Sequence, residues 1–442
     1  MKNIETVCKK IFRLAGGAQC EVMAEVREGA LTRFADNVIS QNVASSSVNF
    51  SVRLLEGGLS AKVNFNQADE ATLKHSVSSG LEILRRQKKD PALLPLAKPR
   101  PIPAGKDLFK KETAELSPTF RAARAAELAK ACRKSGQVAC GTVDNGVSEL
   151  TIANNLGLYA THKESCVTHS VTVRDRDGSG WAEQPSYDVN EIDFKRLNET
   201  ARAKAAASRN PREVKPGKYT VILEPCSAAA LASYLAVYGF GGQLYTEGRS
   251  FAAGKLGEKL LSPLLTIEDN ALDGGAPGMT FDYEGQPRAR VTLVENGVLK
   301  AVVHDRKTAK KARTASTGHA LPQPSYMGPI PLNLSIKPGQ GTLADLIKGT
   351  ERGILVTQFH YTNLLKTQIV EMTGMTRNGT FMVENGKIAY PIKNMRFTQN
   401  MVEAFSNIEA VAAETGLVSE WGSLRCPAMR LSGFNFSSST KF

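Results

Sequence analysis

Hydrophobic residues recur at every second position over long stretches near the start of the chain. This period of two is typical of strands with one buried face, and it is clearest at Val48, Phe50, Val52 and Leu54. With a glycine turn after Glu56, it predicts a meander of antiparallel strands over 20–65. Helical spacing predicts two flanking helices, one carrying Ile4, Val7, Ile11 and Leu14, and one over about 69–86 carrying Leu73, Val77, Leu81 and Leu84.

Residues 90–105 contain closely spaced prolines and predict an extended connector without helix or strand. Ser117 and Pro118 then have the residue types of an N-cap and a first helical position, and Gly136 has that of a helix end. Strands are predicted over 138–190, with turns at 154–157 and 175–180. A helix over about 190–208 follows. A sharp restart of the strand pattern places a domain boundary near 215.

The second half begins with a predicted strand at 216–225 and a helix over 227–239. Two strands joined at 295–297 are predicted within 281–305, and further strands at 352–363 and 379–392. A helix near 399–415 and a terminal strand complete the pattern. Hairpin turns outnumber strand–helix alternations, so the pattern predicts an α+β fold with mostly antiparallel sheets and two domains, 1–215 and 216–442.

Composition narrows the class of protein. The chain has 442 residues, which favours two or three domains, and no apolar run of the roughly 18 residues needed to cross a bilayer. A charged N-terminus does not resemble a signal peptide, so we expect a cytoplasmic protein without a membrane partner. Seven scattered cysteines indicate reduced thiols. The net charge of +13 raises the possibility of nucleic-acid binding, but the basic segments 195–218 and 304–313 lack interleaved aromatic residues, which does not favour it.

Candidate catalytic residues are sparse. His162, Cys166 and His169 do not share one strand face, which argues against a metal site, and the 175–180 segment is typical of a hairpin turn. The segment 316–320, "STGHA", is either a turn that presents Ser316, Thr317 and His319 to a ligand or a purely structural turn. The helix at 227–239 places Tyr234 and Tyr238 on one face, yet no His, Asp, Glu or Lys occurs from 225 to 242.

Several motifs, in order, resemble those of the TldD/PmbA family, metallopeptidase-like proteins once called modulators of DNA gyrase. They are "ALTRFADNVISQ" (30–41), "FDYEGQPRARVTLVENGVLKAVVHDRKTA" (281–309), "STGHA", "PLNLSIKPG" (331–339), "RGILVTQF" (352–359) and "GTFMVENGKIAYPI" (379–392). The resemblance implies an N-terminal α/β lobe and a C-terminal lobe of mostly antiparallel strands.

Catalytic members of that family carry HExxxH on the helix after the strand, with two zinc-binding histidines, a general-base glutamate and a downstream cysteine ligand. This sequence has no HExxxH. Aligned on Pro225 and Gly239, it has Ser233, Tyr234 and Tyr238 at those positions, and Tyr361 near that of the third ligand. The resemblance therefore predicts no metal and no catalytic residue in this chain, with zinc only in a catalytic partner.

The resemblance implies a PmbA- or TldE-like subunit without catalytic residues, paired with a TldD-type paralogue or with itself, and acting on unstructured peptides held as an added strand. Two alternatives stay open. One is a hydrolase that acts alone through a reworked site containing Ser233, Tyr238, His319 and His360, the two histidines lining a cleft. The other is a self-associating peptide-binding module. A gyrase or DNA role rests only on the older family name and the basic charge.

Overall fold

The first lobe is built on one antiparallel sheet. The computed structural model describes residues 3–440. In chain order this lobe contains α1 (Ile4–Leu14), β1 (Gln19–Ala35), β2 (Val38–Glu56), β3 (Leu59–Phe65), α2 (Glu70–Arg85), α3 (Lys111–Ala114), α4 (Pro118–Lys134), β4 (Val138–Asn154), β5 (Tyr159–Asp175), β6 (Gly178–Ser186) and α5 (Phe194–Ala207). The strand order in the sheet is β3-β2-β1-β4-β5-β6.

Helices cover one face of this sheet. Val22, Ala24 and Phe34 share the even-numbered face of β1, and all three are buried. The first two pack in a cluster with residues of α1 and α2, and Phe34 packs in a second cluster with residues of α4 and α5. The predicted start of α4 is confirmed, because the Ser117 side chain accepts a hydrogen bond from the Phe120 N–H and Pro118 follows it.

The second lobe holds a larger mixed sheet. Its elements are β7 (Gly217–Leu223), α6 (Pro225–Phe240), α7 (Gly242–Thr246), β8 (Ile267–Asp269), β9 (Val291–Glu295), β10 (Val298–Leu299), α8 (Arg306–Ala312), β11 (Asn333–Ile336), α9 (Leu343–Lys348), β12 (Arg352–Lys366), β13 (Glu371–Glu384), β14 (Lys387–Pro391), β15 (Met395–Asn400), α10 (Met401–Ser406), β16 (Ile408–Ser419) and β17 (Ser423–Ser439). Because β7 pairs with both β12 and β17, the strands β17-β15-β13-β12-β7 close into a ring. The β7–β12 and β11–β17 pairs are parallel, and the other pairs are antiparallel.

The two lobes pack directly against each other. The proline-rich segment 90–105 has no helix or strand, as predicted. Phe281 of the second lobe is buried against Leu150 and Ile152 of the first-lobe sheet, in a cluster that also includes Ala97 of the connector. The predicted α+β class with two lobes is confirmed. The boundary predicted near 215 falls between α5 and β7 and stays a prediction.

The helix predicted near 399–415 is wrong over most of its length. Only 401–406 is helical, and residues 408–419 form β16, paired antiparallel with β17. The stretch "EAVAAE" (409–414) contains good helix formers, but pairing with a long neighbouring strand outweighs that local preference.

The two strands predicted within 281–305 are also shorter than expected. The predicted turn is present, but β9 and β10 cover only 291–295 and 298–299. Ahead of them the chain turns tightly, because the Asp282 carboxylate accepts hydrogen bonds from the N–H groups of Glu284 and Gln286. No helix within residues 3–440 is long and apolar enough to span a membrane.

Candidate functional site

The helix α6 follows β7 and is buried along almost its whole length. Pro225 occupies its first turn, and the Ser227 hydroxyl donates a 2.8 Å hydrogen bond to the carbonyl of Val356 on β12. Small residues such as those at 228–230 allow close packing within the second-lobe core. Beyond the first turn, the side chains on α6 that retain partial exposure are Tyr234 and Tyr238.

Tyr234 and Tyr238 form an aromatic cluster with Trp421, which lies in the turn between β16 and β17. The two tyrosine rings stack with centroids 5.9 Å apart, and Trp421 meets them edge-on at 5.7 and 5.9 Å. Burial, followed by the neighbouring Tyr234, raises the pKa of Tyr238 above its ordinary value. Tyr238 is therefore a neutral phenol at physiological pH.

A bulge in β12 lies beside this cluster. The pairing of β12 with β13 shifts register between His360 and Asn363, and Tyr361 adopts a left-handed conformation with φ of 51°. The Tyr361 side chain is 70% exposed, and its ring centroid is 4.1 Å from that of His360. The Tyr234 hydroxyl donates a 2.9 Å hydrogen bond to the carbonyl of Thr362, which ties the bulge to α6.

The structure thus brings three of the four predicted site residues, Tyr234, Tyr238 and Tyr361, to one region. The fourth, Ser233, is 3% exposed and turned into the core. His360 is partly exposed at the bulge, and burial together with Arg377 lowers its pKa. The assignment of these residues to the positions of a zinc site stays a prediction.

His319 does not line a cleft, contrary to the sequence-based expectation. Its side chain has no exposed surface, and Nε2 lies 2.9 Å from the Asp269 carboxylate. Nδ1 lies 2.8 Å from the carbonyl of Thr317, so protein groups occupy both ring nitrogens. The turn at 316–320 is structural, since the Ser316 and Thr317 hydroxyls donate to the carbonyl of His304.

The residues at α6 do not fit a zinc ion. Protein zinc sites are built from several cysteine, histidine or carboxylate side chains, whereas beyond its first turn α6 offers two phenols and a buried serine, and the neighbouring bulge adds one histidine, His360. In the part of the chain that the structure describes, no three His, Cys, Asp or Glu side chains are grouped so that they could hold a metal. We therefore derive no chemical step through zinc in this chain.

A cavity of about 660 Å³ lies elsewhere, against the 90–94 segment and α8. Glu284 is among its lining residues, and burial, followed by the nearby Asp282, raises the pKa of this carboxyl to about 7. Tyr234, Tyr238 and Trp421 do not line this cavity. The aromatic cluster contains Tyr234 and Tyr238, which the sequence alignment predicts at the HExxxH positions of catalytic relatives. We therefore place the candidate site at α6.

Trp421 and Thr362 were not predicted. Trp421 is far from α6 in sequence, and only the pairing of β16 with β17 carries it to the tyrosines. No local motif marks either residue, because their contribution depends on tertiary contacts.

Comparison with known proteins identifies the family. The PmbA/TldA metallopeptidase C-terminal domain matches residues 216–438, about half of the chain, and the central domain of the same family matches 111–209. The chain belongs to the PmbA/TldD family. The predicted resemblance is therefore confirmed.

Two curated relatives illustrate the similarity. The chain is 30% identical to the metalloprotease PmbA of Escherichia coli O157:H7 over 230 residues, which is 51% of this chain and 48% of that protein. It is 26% identical to a metalloprotease TldD homologue of Buchnera aphidicola over 254 residues, 55% of this chain and 52% of the relative. The chain spans about half the length of the curated relatives it matches.

Solved structures in this family share the complete fold. TldE from Thermococcus kodakarensis superimposes with a TM-score of 0.86 at 20% identity, over 98% of this chain and 99% of that one. At this identity the likeness shows the fold alone.

Proposed function

We propose that this chain is the non-catalytic subunit of a TldD/TldE-type zinc metallopeptidase that acts on unstructured peptides. The observation that carries the proposal is the outward face of α6, which beyond the first turn presents Tyr234 and Tyr238 and no histidine, cysteine or carboxylate. Metallopeptidase chemistry needs a Lewis acid and a base to bring water to an amide carbonyl, and this face provides neither. Family membership supports the choice of a peptidase partner.

The aromatic cluster gives this subunit a binding role. Trp421 and Tyr361 are exposed beside the tyrosines of α6, and flat aromatic surfaces pack against side chains and main chain of many sequences. We propose that they help to hold a peptide in an extended conformation at the junction with a catalytic paralogue. Main-chain hydrogen bonding to such a peptide requires little sequence selectivity.

The alternative of a hydrolase that acts alone has less support. His319 is buried in a structural network and Ser233 faces the core, so neither can reach a bound peptide. A self-associating peptide-binding module without a peptidase partner is the remaining competitor, and the experiment below separates it from the subunit.

The test is a digest of an unstructured peptide followed by mass spectrometry. This chain alone, an HExxxH paralogue alone and their mixture are compared with and without a zinc chelator. We expect no cleavage by this chain alone and chelator-sensitive cleavage that increases in the mixture. Chelator-resistant cleavage by this chain alone, abolished in Ser233→Ala, would establish the hydrolase alternative. Peptide binding without any effect on the paralogue would favour the binding module.

A variant of the aromatic cluster and a control variant outside it can be compared in the same digest. Trp421→Ala is expected to reduce the activation of the paralogue, because it removes the ring that packs against both tyrosines. Tyr326→Ala is the control, since Tyr326 is 90% exposed and lies outside the cluster. Equal activation by the two variants would remove the cluster from the proposed binding surface.

Zinc content tests the metal assignment independently of activity. Elemental analysis of the purified chain is expected to find no stoichiometric zinc, because the donors around α6 do not suit it. About one tightly held zinc per chain, lost on substitution of residues on α6, would contradict the proposal.

A further inference from the structure

The cavity of about 660 Å³ lies where the two lobes meet. Arg53 and Ser60 line it from the first-lobe sheet, residues 92–94 line it from the connector, and residues of α7 and α8 line it from the second lobe. Small-molecule sites are often clefts between domains, and this volume is within their usual range. The cavity is separate from the candidate site at α6, so it needs its own explanation.

Two buried carboxyl groups form part of the cavity wall. Glu284 and Asp305 are 7% and 5% exposed, and both line the cavity. Oδ1 of Asp305 accepts hydrogen bonds from the N–H and the hydroxyl of Thr308, whereas Oδ2 has no hydrogen-bond partner within residues 3–440. After burial and Asp282, the charge of Asp305 also raises the pKa of Glu284, so the two carboxyls lie close enough to repel each other. A cation bound between them would relieve that repulsion.

The exposed side of the cavity is basic. Lys307, Lys310 and Lys311 of α8 line it with exposed side chains, and none of them forms an ion pair in the part of the chain that the structure describes. Arg53 is the other cation in the wall, but Glu21 lies 3.0 Å away and balances its charge. The cavity thus has carboxyls in its buried wall and uncompensated ammonium groups at its opening.

We propose that this cavity binds a short peptide of two or three residues through both of its free termini. The ammonium group of the peptide would lie between Glu284 and Asp305, and its carboxylate would contact Lys310 and Lys311. Those lysines follow Asp305 along α8, and at a rise of about 1.5 Å per residue they lie about 8 Å along the helix axis from it. An extended peptide spans about 3.5 Å per residue, so two or three residues match this separation.

Isothermal titration calorimetry of the full chain with trialanine tests the site without a catalytic partner, and therefore independently of the proposed peptidase role. We expect binding of one peptide per chain. N-acetyl-trialanine should bind about ten-fold more weakly or worse, because acetylation removes the ammonium group, and trialanine amide should also bind more weakly. Equal binding of either blocked peptide, or no binding of trialanine at millimolar concentration, would overturn the proposal.

Matched variants locate the peptide. Asp305→Asn removes a charge but keeps the helix cap, because asparagine caps helices as well as aspartate does, and it should weaken trialanine binding about ten-fold. The control is Asp69→Asn, the same substitution at the N-cap of α2, where Asp69 accepts the same two hydrogen bonds from Thr72, and it should leave binding unchanged. Glu284→Gln should weaken binding as well. Wild-type affinity in either cavity variant would overturn the proposal, and so would weaker binding in Trp421→Ala, which would place the peptide at α6.

Discussion

Two side-chain clusters of the second lobe differ in their accessibility to a ligand, and the difference is the opposite of what their residue types suggest. The first is a buried network in which Asp269 accepts hydrogen bonds from His319 and from the main-chain N–H groups of Leu332 and Asn333. The second is the half-exposed cluster of Tyr234, Tyr238 and Trp421 on α6. The first contains the residue types of catalysis, and the second does not.

The environment explains the difference. Burial alone would raise the pKa of Asp269, but His319 and Arg288 reverse this effect and hold the pKa well below its ordinary value. The carboxylate is thus fully committed to protein partners and inaccessible to a ligand. The aromatic cluster has little acid–base chemistry but retains exposed surface. A histidine–aspartate pair therefore indicates a functional site only when a substrate can reach it.

The largest effect is expected in the buried network. His319→Ala removes a hydrogen-bond partner from a buried carboxylate and should lower the free energy of unfolding by about 3–5 kcal/mol. Urea denaturation followed by circular dichroism measures it. His75→Ala, at an exposed helix position, is the control and should change stability by less than about 0.5 kcal/mol. Equal losses in the free energy of unfolding for both variants would contradict this prediction, since His319 would then have no structural role.

The second prediction concerns the pH dependence of stability at Glu284, a buried carboxyl whose charge is compensated less completely than that of Asp269. Burial raises the pKa of Glu284 from 4.5 to about 7. Arg306, 3.6 Å away, lowers this pKa but offsets only part of the effect of burial. The folded state holds this proton more tightly than the unfolded state, so the stabilisation is complete below about pH 4.5 and is lost as the pH rises through 7.

Comparison of the wild type with Glu284→Gln isolates that contribution. The variant should lose about 2–3 kcal/mol less stability than the wild type between pH 5 and 8, since it cannot ionise in the interior. Denaturation at a series of pH values measures both curves. Parallel curves would show that Glu284 ionises as readily in the folded as in the unfolded chain.

The smallest effect is expected at the aromatic cluster. Tyr234→Phe removes the hydrogen bond to the carbonyl of Thr362 but keeps the ring, and should lower stability by about 1 kcal/mol. Tyr238→Phe is the matched control, because no hydrogen bond of the Tyr238 hydroxyl is found within residues 3–440, and it should change stability by less than about 0.5 kcal/mol. If Tyr234→Phe lowered the free energy of unfolding by several kcal/mol, the aromatic cluster would have a structural role like that of the Asp269–His319 network.

The fold was predictable where local pattern and tertiary contact agree. The helical stripe of α1 and the cap at Ser117 are examples, since each lies within one element. The helix predicted near 399–415 failed because β17 supplies hydrogen bonds that local propensity ignores. Likewise, Tyr234 and Tyr238 could be placed on one helix face from their spacing. Trp421 and the burial of His319 could not be predicted, because both depend on segments that are distant in sequence.

The close packing of α6 limits the substitutions that this helix can accept. A Cβ atom on Gly239 would meet the Phe251 ring at 2.2 Å, and residues 227–233 are all buried. Substitution at these positions would require neighbouring segments to repack, whereas Tyr234 and Tyr238 can vary at the surface. In a library randomised over residues 227–240, the surviving folded clones should therefore show diversity mainly at these two positions. If the predicted alignment holds, a histidine at the buried Ser233, the first ligand position of an HExxxH motif, would be harder to introduce than one at Tyr238.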